Sequence, residues 1–300
     1  MVKLVFGLAL LFFILWKIGQ EPVLDQLNEL QLTKNGAWFI ALVVFLMTLN
    51  WWLEILKWKI LMKSTQELSW KQASLSVLAG ISTGLVTPNR IGNFIGRSIY
   101  AKQEVKTKAV LLTFHANLAQ FCATILFGIV GLLWLGIDRL ELAPELYLPL
   151  VLGLAFVGLW IYFKPILLNF YPLNKLYSNA IKDGIKNVNE SPFSLKLLVL
   201  FLSLLRYAVF LTQYVLLLLA FGADLSLLSL MASIALVFLF STLFPSILFG
   251  KLFVREASAL FVLSEMGVDA TVILITAFLL WLINLALPAL SGVGILMGKK

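Results

Sequence analysis

Two short stretches gather cations and hydrogen-bonding residues directly after a proline. One is Thr87-Pro88-Asn89-Arg90-Ile91-Gly92-Asn93, running on to Arg97; the other is Pro245-Ser246, running on to Gly250-Lys251 and Arg255-Glu256. A proline in a helical run lacks an N–H and clashes with the preceding turn, so Pro88 frees the carbonyl of Gly84 and Pro245 that of Ser241. Asn89 and Ser246 are good N-cap residues, so a second, short helix can start at each place. Its positive dipole end would lie beside Arg90 or Lys251, a combination suited to holding a phosphate or carboxylate. Arg90, Asn93 and Arg97 fall on one helical side and Gly92 and Gly96 on another, while Lys251 and Arg255 stand four apart with Glu256 adjoining. The expected anion-binding set is therefore Asn89, Arg90, Arg97, Ser246, Lys251, Arg255 and Glu256, with Pro88 and Pro245 as the helix breaks. The plainer alternatives are snorkelling or a local Arg255–Glu256 pair for the cations, and simple kinks for the prolines.

A second tier of residues could line a cavity or couple it to an ion. Asn50 and Glu54, with Lys57, follow an i, i+4, i+7 spacing, which suits either a proton or headgroup site or a structural Glu54–Lys57 pair. Thr113, Asn117, Gln120 and Thr124 form a polar stripe fit for a cavity wall or for hydrogen bonds between helices. Arg206 reads as a snorkelling anchor or a ligand. His115, the single histidine, lies off the stripe and suits neutral packing better than proton relay, and one histidine with one cysteine, Cys122, makes no metal site. No catalytic residue, cofactor or metal is expected. An intramembrane enzyme acting on lipid headgroups is an alternative for which the nucleophile and base are missing.

The elements that must position these residues are membrane helices. The chain of 300 residues is 61% hydrophobic and 13% charged, which excludes an ordinary soluble globule. Its mean hydropathy is +0.98. Eight uncharged runs stand out, at 4–16, 35–53, 72–89, 109–137, 146–163, 207–223, 225–250 and 270–298. All but the first approach the ~18–20 residues a helix needs to cross ~30 Å of hydrocarbon. The first has a leading lysine like a signal peptide but no small-residue cleavage site, and is read as a retained helix. The net charge of +8 would suggest nucleic acid in a soluble protein; here it reports cytoplasmic loops, and no nucleic acid is expected.

The charge bias favours six crossings plus two hairpins, at 72–104 and 225–265, over eight crossings. With the hairpins, the stretches 54–71, 90–108 and 164–196 and the Lys299-Lys300 tail are all positive and inside, and the outer stretches are negative. Both termini are then cytoplasmic in a plasma-membrane protein. The basic segment 165–194 reads as an interfacial stretch drawn to anionic lipid. The hairpins also resemble each other: Leu68-Ser69 precedes Pro88 by the same interval as Leu225-Ser226 precedes Pro245, and Gly92 and Arg97 match Gly250 and Arg255 after a one-residue slip. The fold class expected is an all-α polytopic membrane protein with six transmembrane helices and two proline-broken re-entrant hairpins arranged as inverted repeats, eight membrane-embedded segments in all. The single domain 1–300 divides into a first helix and external stretch (1–34), repeat 1 (35–137), a connecting helix and cytoplasmic segment (138–196), and repeat 2 (197–300).

The segment Thr87 to Asn93 resembles the threonine-proline-glycine-x-x-glycine-glutamate motif of the lysylphosphatidylglycerol synthase transmembrane (flippase-like) family. Gly250 to Glu256 is similar to its later glycine-rich arginine-glutamate motif, and Lys57-Trp58-Lys59 to its basic-aromatic pair. Asn93 replaces the acid of the first motif, and Leu252-Phe253 lacks the later glycine of the second. The resemblance implies a membrane domain built like the lipid-translocating half of enzymes that make and export aminoacylated phosphatidylglycerol, without their synthase domain. The expected function is transport of an anionic phospholipid or lipid-linked intermediate, with membrane lipids as the partners. A homodimer, and a separate lipid synthase or glycosyltransferase that the protein assists without transporting, are the remaining options.

Overall fold

The computed structural model describes residues 31–87, 90–135, 144–164, 178–243 and 250–298, with side chains at 144, 146, 147, 150, 250–253 and 295–298 excepted. Every long element among them is helical. In chain order they are α1 Gly36–Met62, α2 Trp70–Leu85, α3 Gly92–Arg97, α4 Lys106–Leu135, α5 Pro144–Phe163, α6 Asn179–Glu190, α7 Phe193–Ala220, α8 Leu227–Leu243, α9 Gly250–Glu265, α10 Ala270–Trp281 and α11 Leu287–Gly298. A π-turn, Leu282–Ala286, joins the last two into one rod.

Among the described residues, four helices are long and apolar enough to cross a membrane: 36–62, 103–135, 193–220 and 270–294. Their outer faces carry exposed Trp38, Phe45, Trp134 and Phe201, the aromatic and aliphatic coat that lipid solvates. Two of these helices outrun the charge-free windows read from sequence. α1 continues through Glu54, Lys57 and Lys59, and α7 begins before Lys196 and Arg206. The charges are accommodated because they find partners. Lys196, for example, donates to the carbonyls of Phe163 (3.0 Å) and Asn189 (3.1 Å), closing the ends of α5 and α6. α2 and α8 stop at 16 and 17 residues, short of the ~20 that a crossing requires. The first uncharged run, 4–16, lies outside the described residues.

Serine caps start both short helices. Ser69 and Gln72 form a capping box at α2, with Gln72 N–H donating to Ser69 Oγ at 3.2 Å and Ser69 N–H to Gln72 Oε1 at 3.0 Å. At α8 the Ser229 N–H donates to Ser226 Oγ at 3.2 Å. The matched Leu-Ser pairs therefore do the same local work.

After α2 the chain doubles back, and α3 runs antiparallel along it. Close approach is what the glycines supply here: a Cβ on Gly92 would collide with the Thr83 carbonyl, and one on Gly96 would sit 2.6 Å from the Ala79 oxygen. The turn's polar groups are met by two threonines. Thr83 Oγ1 donates to Gly92 O (2.7 Å) and Thr87 Oγ1 accepts from Gly92 N–H (2.8 Å).

α1 and α7 pack antiparallel along their lengths. The contacts run from Thr33 N–H on Ala220 O (3.0 Å) through Gln213 Nε2 on Val43 O (2.9 Å) to Lys57 Nζ on Ser203 Oγ (3.3 Å). Beside this pair, α4 meets α8 where Gly128 and Gly131 abut Leu239 and Ala235, and α11 meets α2 where Gly292 abuts Leu78 and Ser82. Ser82 Oγ also donates to Ala289 O at 2.7 Å. The main apolar core surrounds α7, α8 and α10, and a second cluster joins α1, α2 and α4.

Candidate functional site

Glu54 is the hub. It projects from α1 with 3% of its surface exposed, in a setting where an isolated carboxylate would be prohibitively costly. Three cations compensate it. Arg97 Nη2 pairs with Oε1, while Lys57 Nζ (2.9 Å) and Arg206 Nη1 (3.0 Å) reach Oε2. The helices set these meetings up. Lys57 is one turn along α1 from Glu54, the α2–α3 hairpin turns Arg97 toward α1, and the antiparallel α7 brings Arg206 alongside.

A layer of amides and an indole fixes the cations. Arg97 Nε donates to Asn93 Oδ1 at 3.0 Å, and its guanidinium lies 5.5 Å from the centre of the buried Trp58 ring. Arg206 Nε donates to Asn50 Oδ1 (2.8 Å), Asn50 Nδ2 in turn donates to Asn284 Oδ1 (3.0 Å), and Arg206 Nη1 reaches Gln120 Oε1 at 3.4 Å. Asn284 sits inside the π-turn, a type of helix irregularity frequent at functional sites. Pro288, four residues on, cannot donate to the Asn284 carbonyl, which is the local reason for a departure from α geometry there.

This network borders a cavity of about 540 Å³. Its charged lining is Glu54, Lys57, Arg90, Arg97 and Arg206; amides of Asn93, Asn117 and Gln120 and rings of Trp51, Phe114 and Phe121 complete much of the wall. Two buried donors, Arg97 Nη1 and Trp51 Nε1, have no hydrogen-bond partner among the described residues. Arg90 is exposed and has a left-handed backbone, φ 58°, uncommon for a bulky residue and a local strain of the kind that gathers at functional sites.

The sequence-derived candidates separate into groups. Asn50, Glu54, Arg90, Arg97, Asn117, Gln120 and Arg206 come together in or directly behind the cavity wall. Arg206, read from sequence as an anchor or a ligand, is a member of the network. Arg255 is buried, and its Nη2 donates to Ala277 O at 3.0 Å on α10. Glu256 is buried next to it in sequence, and neither residue lines the cavity. Pro88, Asn89, Pro245 and Ser246 lie outside the described residues, as does the side chain of Lys251. The short α3 follows Ile91 with no side-chain cap, so side-chain cations rather than a capped helix end are what this cavity offers an anion.

Thr124 joins Asn117 and Gln120 at the wall, whereas Thr113 turns to its own helix and donates to Ala109 O at 2.8 Å. His115 stacks on Tyr162, ring centres 4.5 Å apart, as a packing residue. Among the described residues no group of three His, Cys, Asp or Glu could hold a metal. Asn284, Trp51, Thr242 and Ser203 were not singled out by sequence reasoning. The signal for Asn284 was present, an amide alone in an apolar run four residues before a proline.

Helices long enough to cross a membrane, packed around a buried charged cavity, define a polytopic membrane protein. The chain belongs to the family described as the lysylphosphatidylglycerol synthase TM region, whose model matches residues 1–292. Comparison with curated proteins and comparison with solved structures each return no match.

Proposed function

We propose that this protein is a flippase-like transporter that carries a lipid with an anionic headgroup across the plasma membrane. The headgroup occupies the cavity and the acyl or prenyl tails stay in the surrounding lipid. The observation that carries this reading is the site's charge: four cationic side chains and one carboxylate line a cavity inside a bundle of membrane-spanning helices. Ionisable groups at such depth mark substrate pathways.

The internal symmetry supports transport by alternating exposure. In the alignment that sets Pro88 against Pro245, Leu78 and Ser82 correspond to Ala235 and Leu239. Gly292 of the last helix abuts the first two as Gly128 and Gly131 of α4 abut the second two. The polar centre repeats as well: Asn50 meets Asn284 as Arg206 meets Gln120. With α1 and α7 antiparallel, the units 35–137 and 197–300 read as inverted repeats, α2–α3 and α8–α9 as their re-entrant hairpins, and both termini as cytoplasmic. Rocking one unit against the other would open the cavity to each side in turn.

The test is flux of a fluorescently labelled anionic phospholipid in proteoliposomes. Arg97→Ala is expected to abolish it in a protein that still elutes as a monodisperse peak and melts cooperatively. Wild-type flux in that variant would remove the cavity from the pathway.

A further inference from the structure

Resting on that reading of the cavity, we infer that its substrate headgroup carries two or more negative charges, as a phosphomonoester or a diphosphate does, and not the single charge of a phosphodiester. The reasoning is charge balance at depth. Lys57, Arg97 and Arg206 surround Glu54 within ion-pair distance and exceed it by two positive charges. Lys57 and Arg97 are almost wholly buried, and the Arg206 side chain is 27% exposed. Excess charge so placed is poorly screened by water and stabilises an incoming dianion far more than a monoanion.

The donor inventory agrees. Arg97, a residue of the cavity wall, uses Nε on Asn93 and Nη2 on Glu54, which leaves Nη1 buried with no hydrogen-bond partner. Trp51 Nε1 is a second such donor on the same wall. A phosphate or diphosphate has oxygens enough to accept from both while it meets the ammonium of Lys57 and the guanidinium of Arg206. Arg90, exposed at the same cavity, adds a further cation that can receive the headgroup before it reaches the buried cluster. Asn93 matters through its neutrality, because it occupies the Arg97 Nε donor without cancelling any charge.

The experiment uses the purified full chain in nanodiscs and measures binding of four probes: phosphatidic acid, a polyprenyl diphosphate, phosphatidylglycerol and phosphatidylethanolamine. It is run at about pH 7, above the second phosphate ionisation near ~6. At least one dianionic probe is expected to bind ~10-fold or more tighter than phosphatidylglycerol. Preference for phosphatidic acid points to a phospholipid and preference for the polyprenyl diphosphate to a lipid-linked intermediate. Asn93→Asp, which changes no shape, should collapse the preference to within ~2-fold by restoring one negative charge beside Arg97. Arg90→Gln, at an exposed position, should weaken the dianionic probe several-fold should Asn93→Asp prove unstable. Phosphatidylglycerol binding as tightly as both dianions would overturn the inference and leave anionic-lipid transport standing. Equal binding of all four probes, phosphatidylethanolamine included, would remove both.

Discussion

The segments following Pro88 and Pro245 share a sequence pattern, yet their arginines meet different surroundings. Arg97 reaches across to α1, pairs with Glu54, stacks by Trp58 and lines the cavity with one nitrogen left without a hydrogen-bond partner. Arg255 is buried too, and it donates to the Ala277 carbonyl on α10. The difference lies in what the neighbouring helix offers. α1 presents a carboxylate and an amide on its inner face, whereas α10 is an apolar helix that presents backbone oxygen. Cations that match in the sequence pattern thus meet different surroundings, Arg97 at a polar cavity and Arg255 between two helices.

That contrast can be broken most forcefully at its hub. Glu54→Gln leaves Lys57, Arg97 and Arg206 clustered without their shared anion and is expected to cost ~3–5 kcal/mol, as removing one partner of a buried ion pair does. Chemical denaturation in detergent should register the loss, and an unchanged midpoint would mean that the cluster is solvated. Arg255→Ala is the counterpart on the other side. It should lower stability by ~2 kcal/mol through the loss of a charged donor on Ala277 and yet retain binding of anionic lipid, since Arg255 does not line the cavity. Binding lost as completely as in Arg97→Ala would erase the distinction between the two arginines. Arg90→Gly is the gentlest probe. Glycine accepts φ 58° without strain, so the variant should gain ~1 kcal/mol in melting experiments while binding anionic lipid less tightly. A loss of stability there would mean that the Arg90 side chain, and not its backbone, dominates.

Much of the class was legible in the sequence, because hydrophobic run length and charge spacing are local quantities. The face Asn50, Glu54 and Lys57 and the stripe Asn117, Gln120 and Thr124 were visible as helical periodicities, and each reaches the site. What periodicity cannot carry is which helix a face will meet. Arg206 marked the edge of a charge-free window, so from sequence it could equally be an anchor; only the antiparallel approach of α7 to α1 makes it a partner of Glu54 and Asn50. Arg255 looked equivalent to Arg97 because the motif around it matched, but the motif contains no information about α10. Asn284 was hidden by its own run, where a single amide among leucines left the apolar pattern intact.

The π-turn at Leu282–Ala286 has a consequence for how the last helix can change. Such a turn holds one residue more than regular α geometry would and absorbs it locally, so α10 and α11 keep the phase of one continuous helix. Deleting a single residue within it would restore a continuous α-helix and leave the residues beyond on their present faces, whereas deleting one from the regular helix that follows would rotate everything beyond by about 100°. Gly292 would then swing away from Leu78 and Ser82, which it now abuts, and a bulkier neighbour would face α2. The chain length between Leu287 and Gly292 is therefore as much a constraint as the identity of Gly292, and tolerance of insertions and deletions there should be far lower than tolerance of apolar substitutions.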